Sequence, residues 1–428
     1  MGRTLAIAKF AGLIALIGLI GLIDFYDTAR RALLPILALL VLILLCNQLG
    51  VEVAPGYMAP LSVSALSIAL ALLPLPMLVI APFSFGWLAS LYAYITVAYF
   101  TLYTSSLSYD HTAAHVVMTA ALLTFMYPAL FIRREKAFAI SDEAMERILL
   151  AFVLISFAVL GADAAYGLRF LGFMESMQAR GEIVRPALLN YLSDMLTCAV
   201  LPFALAWSMD RGRLYLTIVS GLVLMAFFPM LLSKVVLFGP IWVLLTYALY
   251  RVVEPKLATV ISLAVPLLAT ALLYRLSPSS WAPFFIVDVR MIATPAIAID
   301  RYLGFFADHP LTYFCQINVV RHLVGCPYTE QLGVIMKGVY NEGNFNASLF
   351  ATEGIASVGL ALTPLATTAC GFVIAAGNIA SSRLSPALIA ASSGVFLNVL
   401  MNVPLSVAMV SNGGALLFVL YFLTRDRS

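Results

Sequence analysis

Apolar runs of roughly twenty residues recur along the chain, without the period-2 alternation of amphipathic strands. A run of that length matches the hydrocarbon thickness of a bilayer. Inside hydrocarbon every backbone N–H and C=O needs a partner from the protein itself. Only helices or a closed barrel meet that demand, and long continuous runs select helices. Composition agrees. Of 428 residues, 63% are hydrophobic and 11% charged, against about 25% charged in soluble domains. Too few polar side chains exist to cover a water-facing surface. The expected fold class is an all-α polytopic membrane protein with about 12–13 transmembrane helices and two long loops on one side.

The candidate spans are 5–23, 32–49, 59–81, 86–103, 112–132, 148–165, 193–209, 214–232, 235–250, 257–274, 347–374, 386–408 and 413–424. Pro60, Pro74, Pro76 and Pro82 break the 59–105 region, which holds one, two or three passes. The run to Ile23 lacks a small-residue cleavage site and is expected to remain as a first span. Short loops rich in Lys and Arg should face the cytoplasm. Arg30 and Arg31; Arg133, Arg134, Lys136 and Arg147; Arg211 and Arg213; Arg251 and Lys256; Arg383; and Arg425 and Arg427 fall on one side from the second span onward. The C-terminus is therefore expected in the cytoplasm. Arg3 and Lys9 conflict with this count, unless the first span is re-entrant or 59–105 makes an odd number of passes.

The chain then divides into N-terminal spans (1–165), a first outer loop (166–192), central spans (193–274), a large outer loop (275–346) and C-terminal spans (347–428). A loop of that length in a membrane protein is expected to be functional. Its five cations (Arg275, Arg290, Arg301, Arg321, Lys337) balance five acids (Asp288, Asp300, Asp308, Glu330, Glu342), so an anion site must come from a few placed arginines. Guanidinium forks onto phosphate oxygens, and Arg169, Arg290 and Arg321 lie where a lipid diphosphate presents them; interfacial snorkelling is the competing reading. Lys234, alone between two apolar spans, faces a lipid phosphate or snorkels. Glu342, Asn344 and Asn346 crowd the point of membrane re-entry. They hold sugar hydroxyls or supply a base, or Asn346 caps the next span. Gly354 and Gly359 would let another helix approach. His111 and His115 share a helical face, but no third ligand accompanies them, so no metal is expected. Cys315 and Cys326 can pair in an oxidising compartment. No nucleic-acid signature appears.

The run Arg290-Met-Ile-Ala-Thr-Pro295-Ala296, followed by Tyr302, Phe305-Phe306 and Pro310, resembles the pattern of Wzy-type oligosaccharide repeat-unit polymerases. Tyr328, Gly333, Asn344, Asn346 and Gly359 follow in that family's order. Tyr166-Gly-Leu-Arg169, Tyr191, Pro202 and Ser233-Lys234 match upstream, so the resemblance covers about 165 to 360. An Asp often follows the second Asn in the family; here position 350 is Phe. The resemblance implies a cofactor-free, metal-independent glycosyltransferase of the bacterial inner membrane, with its active loops periplasmic. It would transfer a glycan from undecaprenyl diphosphate to the non-reducing end of another undecaprenyl-diphosphate-linked repeat unit. The expected partners are those lipid-linked oligosaccharides and membrane lipid, with a chain-length regulator and a flippase. The expected catalytic residues are Arg290, Lys234 and Glu342, with Asp288 behind Glu342 as base. Arg169, Arg321, His322, Tyr302, Asn344 and Asn346 are the expected substrate contacts. An O-antigen ligase, against which Gly343 counts, and a lipid-linked oligosaccharide transporter are the alternatives. Labelling of spheroplasts with an impermeant maleimide is expected to reach Ser279→Cys, and to reach Arg134→Cys only after permeabilisation.

Overall fold

The computed structural model describes residues 28–54, 60–61, 64–136, 138–169, 185–342, 345–346 and 352–426. The first expected span, 5–23, lies outside them. The described residues are helical apart from loops and one isolated bridge between Leu61 and Tyr103. Nine of their helices are long and apolar enough to cross a membrane: Arg31–Val53, Phe85–Leu102, His111–Phe131, Asp142–Tyr166, Ala187–Asp210, Leu214–Leu231, Pro255–Leu276, Trp281–Asp308 and Thr352–Ala380. Ala65–Ile80, Val236–Val252, Pro386–Leu400 and Gly414–Leu423 are shorter apolar helices. Leu154, Leu245 and Leu365 are 68%, 65% and 71% exposed within such helices, an arrangement that lipid accepts and water penalises. The protein is a polytopic all-helical membrane protein.

Three segments differ from the sequence reading. The span expected over 59–81 is two short helices, Ala65–Leu72 and Leu75–Ile80, split at Pro74 and Pro76. The last turn of the second leaves carbonyls without helical partners, and the Lys256 ammonium donates to Leu78 O at 3.1 Å and Val79 O at 2.9 Å. Second, the loop expected over 275–346 contains the helix Trp281–Asp308, with mean hydropathy 1.6, and two short helices, Asn318–Val324 and Leu332–Tyr340. Its charges suggest a polar segment, yet Asp288 and Asp300 are buried. Likewise, the first outer loop ends early, because a helix starts at Ala187.

The chain forms two compact units. The first comprises residues 1–83, 89–131 and 254–371. Within it Gly359, at φ 77, turns the chain inside Thr352–Ala380, and Gly354 packs on Thr363 and Ala366 across the turn. The piece before the turn ends with orphan carbonyls. Thr312 N–H donates to Ala356 O at 2.8 Å and Tyr313 N–H to Ser357 O at 3.1 Å. Gly354 and Gly359, expected to admit another helix, instead make this turn; a separate helix comes close at Gly371, where a Cβ would stand 2.4 Å from Phe125 O.

The second unit comprises residues 84–88, 132–253 and 372–428. Four of its basic turns meet at one end. Arg211 pairs with Asp142 at 3.5 Å and also donates to Arg425 O, and Arg383 pairs with Glu135 at 2.6 Å. Ser385 donates to Asp210 at 3.3 Å. Lys136 donates through Nζ to Tyr421 O at 2.7 Å and Thr424 O at 2.5 Å, closing the helix Gly414–Leu423. Arginine and lysine at these turns thus bond carbonyls at or just past helix ends. Burial pushes the Lys136 ammonium down to about 8, below its unfolded value of about 10.4. The unfolded chain thus holds more protons between those values, so stability should rise with pH across that window. Thermal midpoints in detergent are expected to climb from pH 8 to about 10, with the slope lost in Lys136→Met.

Candidate functional site

In the first unit, charge is concentrated where the helix Trp281–Asp308 carries Asp300 and Arg301 side by side. Arg301 Nε donates to Glu342 Oε2 at 2.7 Å and Nη2 to Glu342 Oε1 at 2.9 Å, a two-pronged pair. Nη1 donates to Asp300 Oδ2 at 2.5 Å. Asp300 is fully buried, and its other oxygen accepts from Tyr109 Oη at 2.5 Å. The Tyr340 ring lies 5.4 Å from the guanidinium carbon, and its hydroxyl donates to Arg301 O at 3.0 Å. One guanidinium thus pairs with two carboxylates beneath an aromatic ring. Burial first, and the Asp300 charge second, push the Tyr109 hydroxyl well above the usual phenol range. It remains a donor at any physiological pH.

Local backbone explains how Glu342 reaches Arg301. The helix Leu332–Tyr340 closes on Asn341, whose φ of 52 is left-handed, with its N–H on Lys337 O. Asparagine tolerates that conformation better than most residues. The next residue is thereby turned out of the helix path. Tyr302, fully buried, then donates to Phe345 O at 3.0 Å and ties down the following strand of chain. Asn346 is exposed, and its Oδ1 stands only 2.1 Å from where a Cβ on Gly333 would be. Glycine at 333 is what admits that side chain.

These positions sort the sequence-derived residues. Glu342 and Tyr302 belong to one cluster, Glu342 anchoring Arg301 and Tyr302 anchoring the backbone of Phe345. Arg290 is exposed on a π-helical stretch, Phe285–Ala293. Arg321 and His322 are exposed on Asn318–Val324. The Cys315–Cys326 disulfide, with Cα atoms 5.3 Å apart, closes the loop that bears them. Asn344 lies outside the described residues. The expected cap role of Asn346 would fall on 347–351, which also lie outside them; the next described helix starts at Thr352. His111 and His115 engage rings instead of a ligand set: His111 lies 4.3 Å from Tyr109 and His115 5.1 Å from Phe100. Among the described residues no group of three metal-ligating side chains occurs.

Arg169 and Lys234 belong to the second unit. Arg169, half-buried, donates its backbone N–H to Pro229 O at 3.0 Å. Pro229 sits in a one-turn helix, Phe228–Leu231, that stops at Leu232 with φ 48. Lys234 opens the next helix two residues later. A left-handed leucine costs about 1 kcal/mol or more and persists only where its surroundings fix it. Beside this turn Asp163 is fully buried, accepting from Arg185 at 3.0 Å and from Ser193 at 2.6 Å.

Sequence reasoning missed Asp300, Arg301, Tyr109 and Tyr340 as a group. Adjacent opposite charges inside an apolar helix were the available signal. Known protein families, curated proteins and solved structures give no match for this chain.

Breaking one partner of a half-buried pair leaves the other charge uncompensated. Arg301→Met is expected to destabilise the protein by about 3 kcal/mol. Combined with Glu342→Gln, it should show a coupling of about 1–3 kcal/mol in a double-mutant cycle read by thermal unfolding in detergent.

Proposed function

We propose that the chain is a polymerase of lipid-linked oligosaccharide repeat units, acting at the outer face of a bacterial inner membrane. The observation that carries this reading is the disulfide between Cys315 and Cys326. Disulfides persist in oxidising compartments. The bond therefore supports an extracytoplasmic setting for the segment that exposes Arg321 and His322. Undecaprenyl-diphosphate-linked glycans are polymerised on that side in the family the sequence resembles. The gathering of Arg211, Arg383, Lys136 and Arg425 at one end of the second unit supports the same orientation through the positive-inside rule. That orientation requires the helix Trp281–Asp308 not to cross the membrane, because one crossing there would invert Arg383 and Arg425.

The chemistry follows from the substrates. An acceptor hydroxyl attacks the anomeric carbon of the donor glycan. A new C–O bond forms as the bond to the diphosphate breaks. Undecaprenyl diphosphate leaves with the electron pair, and fixed cations stabilise the charge that develops on it. Arg290 is assigned to the donor diphosphate. Arg321 and His322 are assigned to the second diphosphate or a sugar. Glu342 is assigned the acceptor proton, which it would take through the lone pairs that Arg301 leaves open. Asn344 and Asn346 are assigned to sugar hydroxyls, and Tyr302 supports that turn from beneath.

A transporter of lipid-linked oligosaccharides is the second reading. The helix broken at Pro74 and Pro76 and the turn at Gly359 favour it, since interrupted helices line transport sites. Polymer length separates the two. Cells carrying Arg290→Ala at normal expression are expected to display single repeat units, where the wild-type chain gives a ladder on a gel. A normal ladder removes Arg290 from the reaction. Movement of labelled lipid-linked sugar in proteoliposomes, without polymer formation, decides for the transporter.

A further inference from the structure

The first unit buries a second carboxylate, away from the Arg301 cluster. Asp288 is 3% exposed and sits in the π-helical stretch Phe285–Ala293, a distortion that often marks functional sites. Its Oδ2 lies 2.6 Å from Thr270 Oγ1, and its Oδ1 has no hydrogen-bond partner. The carboxyl lines a cavity of about 10 Å³, room for one water-sized body, together with Cys46, Asn47, Tyr99, Leu267 and Ile292. Among the described residues no Lys, Arg or His lines that cavity.

The charged groups on the packed elements are engaged elsewhere or point away. Arg275 pairs with Glu52 at 3.6 Å. Lys256 caps the helix end at Leu78 and Val79. Arg301 binds Asp300 and Glu342. Arg290, on the same stretch, is exposed, and Tyr274 stacks on Phe284. The titratable side chains that face the cavity beside Asp288 are Cys46 and Tyr99, and Tyr99 donates its proton to Asn47 Oδ1. Neither is a cation. An ionised carboxylate in this setting has only the Thr270 hydroxyl and the Cys46 thiol beside it and no counter-charge, a state that burial strongly disfavours.

We propose that Asp288 and its cavity form a binding site for one monovalent positive charge, supplied as a proton on the carboxyl or as a sodium-sized ion in the cavity. One formal negative charge sets the valence. The Thr270 geometry favours the proton. That hydroxyl has a single hydrogen and two further acceptors, Pro266 O at 2.8 Å and Leu267 O at 3.2 Å. When the hydrogen goes to Pro266 O, the 2.6 Å contact with Oδ2 is made by a proton on the carboxyl, donated to Thr270. Oδ1 is then a neutral carbonyl facing the cavity. The site goes beyond the polymerase reading and does not rest on it. It also removes Asp288 from the list of bases for glycosyl transfer.

Infrared difference spectra of the full chain in lipid nanodiscs, wild type minus Asp288→Asn, test the proposal at neutral pH in sodium chloride and in choline chloride. A proton gives a neutral-carboxyl C=O band, absent from the variant and indifferent to sodium. A sodium ion gives carboxylate bands that move when sodium replaces choline, with a higher thermal midpoint. Carboxylate bands that ignore sodium overturn the proposal. Should Asp288→Asn fail to assemble, Thr270→Val removes the hydroxyl contact to Oδ2. It should shift the neutral C=O band upward, or move the sodium-sensitive bands; a spectrum unchanged by it overturns the proposal. No polymer enters the measurement, so its failure leaves the polymerase reading untouched, and a normal ladder from Arg290→Ala leaves this site untouched.

Discussion

Hydrocarbon offers a backbone amide no partner, and each part of this structure answers that constraint. Unbroken helices answer it internally. Wherever a helix stops, another group must take over its last carbonyls. Lys256 does so for the helix ending at Ile80, and Lys136 does so for the one ending at Leu423. Thr312 and Tyr313 do so where Gly359 turns the chain. Broken helices are affordable here because cations and loop amides are delivered to the breaks.

The same constraint governs side chains. A buried charge in a low-dielectric interior needs a counter-charge and filled hydrogen bonds. Asp163 has Arg185 and Ser193, and Asp300 has Arg301 and Tyr109. The Asp300 cluster lies beside irregular backbone at Asn341, one residue before Glu342. Such clusters fix one arrangement of neighbouring turns, because any other leaves a carboxylate bare. Glu342 is held in the same way by Arg301, and that gives it a definite direction. Asp288 stands apart as the buried carboxylate with an empty side.

The sequence reading and the structure part company for stated reasons. The proline pairs at 60–82 announced a break, but which carbonyls it freed, and that Lys256 would serve them, depends on a residue about 180 positions away. Segment 275–346 read as a loop because its charges were counted as exposed. Pairing Asp300 with Arg301 and burying Asp288 lets the same residues form an apolar helix. Tyr302 was legible as a special aromatic within a motif. Its burial and its bond to Phe345 O were not, since they depend on the turn at Asn341.

Sequence alone determined the solvent and the helical class. Both follow from hydropathy summed over windows, which is additive and local. Tertiary structure alone decided which carboxylate meets which arginine, where helices turn back, that Cys315 meets Cys326, and that Asp288 faces a cavity. Those outcomes depend on side chains remote in sequence arriving within about 3 Å of each other, and no local property of the chain encodes that distance.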